Sequence, residues 1–265
     1  MAVRLALLIG VLTAVMAMPA DGARSTCLSC HPQHHAALGS CGSCHRGNDT
    51  TRRLNLAHLD LVPGRLVSYR LPGDPAVARG KKTLERAACR RCHVSHGKGN
   101  RLATNLDRLA DRHPLQLLTA ISRPVSFMPD FKFAETSIAD LVNAILAGTR
   151  DDTVTASNAP LVVRFTAAAP FRENVFEKRC GGCHKVLASR YGGLGRGTAG
   201  PNLSGLFSDF YPPTFGRGVP WNRQRLARWL KNPRDIRMHA LMQPVSLSDA
   251  ELRLLVETLQ VSSAR

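Results

Sequence analysis

Apolar positions in this chain fall into a few short blocks set in long polar stretches, and the spacing within each block predicts an element. The first block, Leu5 to Ala17, is continuous rather than periodic; Arg4 precedes it and the small-residue stretch Met18-Pro19-Ala20-Asp21-Gly22-Ala23 follows. A run of about 13 apolar residues is short for a membrane span, which needs roughly 20, and its flanks fit a cleavable export signal over residues 1–23. Gly80 to Ala88 reads as a helix. Ile138, Leu141, Val142, Ile145 and Leu146 recur at helical spacing, with Ser137-Ile138-Ala139-Asp140 as the expected starting cap and Gly148 as the stop. A further helix runs through Arg225 to Leu230. The last is announced by Ser248 with Glu251 three positions on, by Leu247 placed to staple against Leu252, and by Leu255, Val256 and Leu259. Between these helical blocks, residues 151–170 carry Asp151-Asp152, Ser157-Asn158, Ala159-Pro160 and a small-residue run ending in Pro170, the composition of a linker. The expected fold class is mainly α: an N-terminal unit over 24–72 with little regular structure, then two small all-α domains over 73–150 and 171–265.

Composition sharpens this picture. With 265 residues, 44% of them hydrophobic, the chain can form a few small globular units but not one large enzyme core. Aromatic residues supply only 5%, so something other than large side chains is expected to fill the interiors. The formal charge is +17, and 29 of the 36 basic residues are arginine. Such a charge acts on encounter rates with acidic partners or an anionic membrane surface, although an arginine-rich solvated surface accounts for it equally well. No nucleic-acid-binding motif accompanies it.

The cysteines decide the class. All eight occur in one pattern: Cys27-Leu28-Ser29-Cys30-His31, Cys41-Gly42-Ser43-Cys44-His45, Cys89-Arg90-Arg91-Cys92-His93 and Cys180-Gly181-Gly182-Cys183-His184. C-x-x-C-H is the attachment motif for haem c, in which two thiols form thioethers with the porphyrin and the adjoining histidine binds the iron. A zinc ribbon built from the first two pairs, or disulfides closing within each pair, are the competing readings. Neither requires a histidine after every pair. With four motifs and no cysteine left over, the chain resembles multihaem c-type cytochromes, and four haem c groups are expected.

The two helical blocks carry a second resemblance. Residues Asp74 to Gly148 contain the third motif and then Phe127-Met128-Pro129; residues Phe171 to Gln260 contain the fourth, Gly200-Pro201-Asn202-Leu203, and Met242-Gln243-Pro244. In both, a methionine precedes the terminal helix, as in class I monohaem cytochrome c domains. The resemblance implies that Met128 and Met242 are the distal ligands opposite His93 and His184. His96 and His113 compete with Met128, and Met238 and His239 with Met242. It also implies that the Pro201 carbonyl accepts a hydrogen bond from His184. The chain departs from the family where Gln243 follows the methionine, and where Thr104-Asn105-Leu106 stands in place of Gly-Pro-Asn-Leu, which leaves the support of His93 open.

Residues 24–72 hold two attachment motifs and no methionine, but they do hold His34, His35 and His58. That is one imidazole for the far side of each iron and one to spare. His34 and His35 follow the first motif so closely that one of them more easily reaches the second haem, leaving His58 for the first; which of the adjacent pair binds stays open. A unit this small is expected to fold on its cofactors.

A second imidazole lowers the potential relative to thioether sulfur, so electrons are expected to enter at haems 1 and 2 and rest on haems 3 and 4. Candidate ligands for both faces of every iron point to an electron carrier and not an enzyme. The rival class is a peroxidase- or reductase-like multihaem enzyme with one open iron. The expected location is periplasmic or otherwise extracytoplasmic. The expected partners are redox proteins, a quinol-oxidising membrane complex of a respiratory chain among them, with peripheral membrane association as one arrangement.

Overall fold

The computed structural model describes residues 25–125, 127–149 and 174–261; the expected signal peptide and linker lie outside the described residues. The architecture is mainly α, as the periodicity predicts, and the chain divides into two compact units, Met1–Leu61 and Val62–Arg265.

The first unit is built from single turns. A 3-10 turn over Thr26–Ser29 carries the first motif, with the Cys27 N–H bonded to the Ser25 hydroxyl, and another spans Ala36–Leu38. Helix α1, Cys41–His45, is the second motif itself; the Ser40 side chain caps it by accepting the Ser43 N–H. Helix α2, Leu54–Ala57, ends at His58. Backbone bonds tie these turns together. Thirteen-atom helical rings are few, and the Asp49 carbonyl instead accepts both the N–H and the hydroxyl of Thr26. The Asn48 N–H bonds the Ala57 carbonyl at 3.0 Å. Gly47 makes that approach feasible: its φ is +73°, and a Cβ there would lie 2.7 Å from the Ala57 oxygen. No residue from 25 to 61 is buried, and Leu28, Leu38, Leu54, Leu56, Leu59 and Leu61 are all exposed.

The second unit has true cores. Asp74 caps helix α3, Pro75–Arg86, by accepting the Ala76 N–H, and Pro75 occupies the first turn, where its missing N–H costs nothing. Helix α4, Pro114–Ser122, is capped by His113. Helix α5, Glu135–Ala147, crosses α3 so closely that a Cβ on Gly80 would lie 1.9 Å from the Asp140 carbonyl oxygen. Ser137 does not cap α5, contrary to the sequence expectation. The helix begins a turn earlier, where Ile138 bonds back to the Ala134 carbonyl and Glu135 sits in the positive first turn, paired with Arg65. Residues 62–72, expected in the N-terminal unit, pack instead on α5. Val62, Leu66 and Val67 join Ile138, Ala139, Val142 and Leu146 in one cluster, and fully buried Asn143 accepts the Tyr69 N–H and donates to the Arg65 carbonyl.

Helix α6, Val175–Arg179, leads to the fourth motif and buries Phe176 completely. A two-stranded antiparallel hairpin follows, β1 Val186–Ala188 with β2 Gly192–Leu194, registered Val186 to Leu194. Helix α7, Arg223–Lys231, is capped by Asn222. Helix α8, Asp249–Leu259, carries the capping box that Ser248 and Glu251 predict. Leu226, Leu230, Leu255 and Leu259 close over Phe176, and Leu247 and Leu252 pack on the rim of the same cluster.

Candidate functional site

None of the eight cysteines is joined to another in this structure. No group of three or more His, Cys, Asp or Glu gathers among the described residues as a metal site, which is what a zinc ribbon across the first two motifs would need. Histidine rings of the first unit lie near one another instead.

In the first unit, the rings of His31 and His58 stand edge-on with centroids 6.1 Å apart, and those of His34 and His45 are 5.6 Å apart at a tilt of 37°. A bound metal sits about 2 Å from an imidazole nitrogen, so two rings holding one metal from opposite sides have centroids roughly 6 Å apart. The short helix α2, fixed by the Asn48–Ala57 bond, delivers His58 toward the first motif. In the adjacent pair, the His34 ring lies 5.4 Å from that of His35 and 5.6 Å from that of His45, and His35 sits in the left-handed region at φ 49°. Six exposed leucines, four thiols and paired imidazoles with no buried side chain among them fit a flat apolar cofactor that would form the missing core.

The third and fourth motifs share one backbone design. The Nδ1 of His93 bonds the Thr104 carbonyl at 2.7 Å, and that of His184 bonds the Pro201 carbonyl at 2.8 Å. In each case an asparagine follows and accepts the N–H two residues on, Asn105 from Asp107 and Asn202 from Ser204, both at 2.9 Å. The next leucine, Leu106 or Leu203, bonds the carbonyl of the residue after the histidine, Val94 or Lys185. Glycines close the loop at equivalent points: a Cβ on Gly99 or Gly195, both at positive φ, would lie 2.0 Å from the His93 or His184 carbonyl oxygen. Each arrangement fixes the ring through Nδ1 and keeps Nε2 out of that bond. Desolvation holds His93 below its ordinary pKa, against the opposing pull of the Thr104 carbonyl. Burial also pushes the Cys89 and Cys180 thiols up to about 11 and raises Cys92.

Of the distal candidates in the fourth motif's domain, Met238 is 76% exposed and His239 is exposed, while Met242 packs against the core and its sulfur accepts the Trp229 indole N–H at 3.0 Å. In the third, His113 is engaged in capping α4, and the His96 ring bonds Ser95 and lies against Gly148 at the end of α5. Met128 is half-buried in the segment between α4 and α5, its N–H bonded to the Val125 carbonyl. The sequence reading missed Trp229 as the partner of Met242 and left Thr104 open. The Asn-Leu dipeptide shared by both loops is the signal that finds Thr104.

No protein-family model, curated protein or solved structure matches this chain. The functional reading rests on the motifs and on the arrangement of these side chains. Their donor chemistry, two thiols and one imidazole per motif with a second imidazole or a thioether as distal candidate, fits covalently held haem at four places.

Proposed function

We propose that this chain is an exported tetrahaem c-type cytochrome that transfers electrons and catalyses no reaction of its own. The observation that carries the reading is the pairing of His31 with His58 and of His45 with His34 at separations suited to one metal each, in a unit that has attachment cysteines but no core. Haem iron supplies a one-electron ferric–ferrous couple. The chain anchors it through the cysteine pairs and orients it through His31, His45, His93 and His184. His58, His34, Met128 and Met242 would be the second ligands, and a haem held on both sides would have no open position for substrate. Class I cytochrome c domains over 73–150 and 171–265, with methionine ligands, complete this reading.

Two bis-imidazole centres at low potential would feed two methionine centres at high potential, with partners in a periplasmic or other extracytoplasmic space and a quinol-oxidising complex as one donor. The basic surface favours acidic partners. Expression in a host that attaches haem, followed by haem staining of a denaturing gel and intact mass, should show four haems per chain; an unmodified mass overturns the reading. A redox titration should separate a low pair of midpoints from a high pair. Rapid carbon monoxide binding by the native protein would favour an open-iron enzyme instead.

A further inference from the structure

We propose that the two helical halves of the second unit, 62–149 and 174–261, act as one fixed two-centre conductor, with the Pro201–Gly205 segment as the bridge between the third motif and His184. The inference rests on the haem reading above and goes beyond it, because two cytochrome domains joined by a linker need not touch at all.

Here they are interlocked at their attachment motifs. On one side of the bridge, buried Cys92 clusters with Leu102 and with Leu187 of β1, and the Ser204 hydroxyl accepts the Leu187 N–H at 2.7 Å. The Arg91 guanidinium donates to the Asn202 carbonyl and lies over the Tyr211 ring, whose hydroxyl donates to the same carbonyl. Asn100 donates to Ser208 across the boundary. A Cβ on Gly205 would lie 2.6 Å from the Arg91 carbonyl oxygen, so the two backbones meet with no side chain between them. Asn202 reaches further to donate to the Phe127 carbonyl, and the Phe127 ring fills the space over Gly193, where a Cβ would lie 2.3 Å from it. On the other side of the bridge, the Pro201 carbonyl holds His184 Nδ1.

The path these residues would offer runs from Cys92 across its contact with Leu187 to Ser204, and along the adjoining backbone through Pro201 to the His184 imidazole. Haem iron held at His93 and at His184 would supply the two ends of a one-electron exchange in which no bond breaks and no proton moves. Such a route needs the halves held in register, and hydrogen bonds that fix Asn202 from Arg91, Tyr211 and toward Phe127 do that.

The test uses the full four-haem chain carrying a protease site between 151 and 170. After cleavage, the native halves should co-elute, and pulse reduction should be followed by fast equilibration between the two methionine-ligated centres. Gly193→Val, a wedge under Phe127, should retain four haems but lose both co-elution and the fast phase. Phe127→Ala, which adds no atom, should weaken both in the same direction and serves where the wedge does not fold. Native halves that separate, or equilibration unchanged in both variants, overturn the bridge. A mass showing fewer than four haems would instead remove the haem reading on which it rests.

Discussion

The Nδ1 of His93 and the carbonyl of Thr104 lie 2.7 Å apart, reproducing the His184–Pro201 bond although the residue that supplies the oxygen is different. The acceptor is backbone, so what matters is the path of the loop and not the side chain at 104. Thr104→Ala should therefore leave haem content and the midpoint of the third centre unchanged. Gly99→Ala should not. At φ +131° and with a Cβ 2.0 Å from the His93 carbonyl oxygen, the loop must shift. Strain of this kind costs about 1–3 kcal/mol, to be read as a lowered unfolding temperature together with a changed third-centre midpoint.

How much of this was legible beforehand follows from the range of each interaction. The Ser248–Glu251 box, Gly148 as a stop and the apolar face of α5 are local patterns, and each stands as read. Ser137 misled because a serine before an apolar run looks the same whether it caps a helix or rides in its first turn; the helix starts at Glu135, with Ala134 at the cap position. The place of Val62, Leu66 and Val67 on α5 is a long-range fact, as is Phe127 over Gly193. The motifs alone supply the candidate cysteines and proximal histidines, whereas favouring His34 over His35 uses the 5.6 Å approach of the His34 and His45 rings, a contact that local sequence does not show.

That choice yields a direct prediction. His34→Ala and His58→Ala should each convert one of the four haems from low-spin to high-spin, visible in the optical or electron paramagnetic resonance spectrum. His35→Ala should leave all four low-spin. A high-spin signal from His35→Ala with none from His34→Ala would reverse the assignment.

The Trp229 N–H donates to the Met242 sulfur at 3.0 Å; if that sulfur binds haem iron as proposed, the bond would draw electron density from it and favour the ferrous state. Trp229→Phe should keep the sulfur-to-iron charge-transfer band while lowering the midpoint of the fourth centre. Met242→Leu should abolish that centre's band. Met238→Leu, at a residue 76% exposed, should change neither.

None of the described residues of the first unit, 25–61, is buried, so on the proposed reading its order would depend on haem. A chain prepared without haem should exchange its amide hydrogens over 25–61 as fast as an unfolded peptide. Amides near Val142, Leu66 and Leu255, each almost fully buried, should stay protected. Equal protection across both units in the haem-free chain would remove the idea of a cofactor-built core.

Acid should act on the fourth centre through the start of α8. The Glu251 carboxylate accepts the Ser248 N–H at 2.8 Å and the Ser248 hydroxyl at 3.1 Å, and Arg179 donates to it; these bonds hold it below the ordinary glutamate pKa. A carboxylate whose folded pKa is depressed contributes stability that is fully present above its unfolded value and is lost as pH falls through the folded one. Thermal unfolding followed from neutral pH downward should therefore show a decline below the ordinary glutamate range that Glu251→Gln reduces. Ser248→Ala should cost about 1 kcal/mol at neutral pH, the usual worth of an N-cap. Because α8 places Leu255 and Leu259 over Phe176, whose helix leads into Cys180, loosening its first turn should reach the methionine band of the fourth centre before the helix itself unfolds.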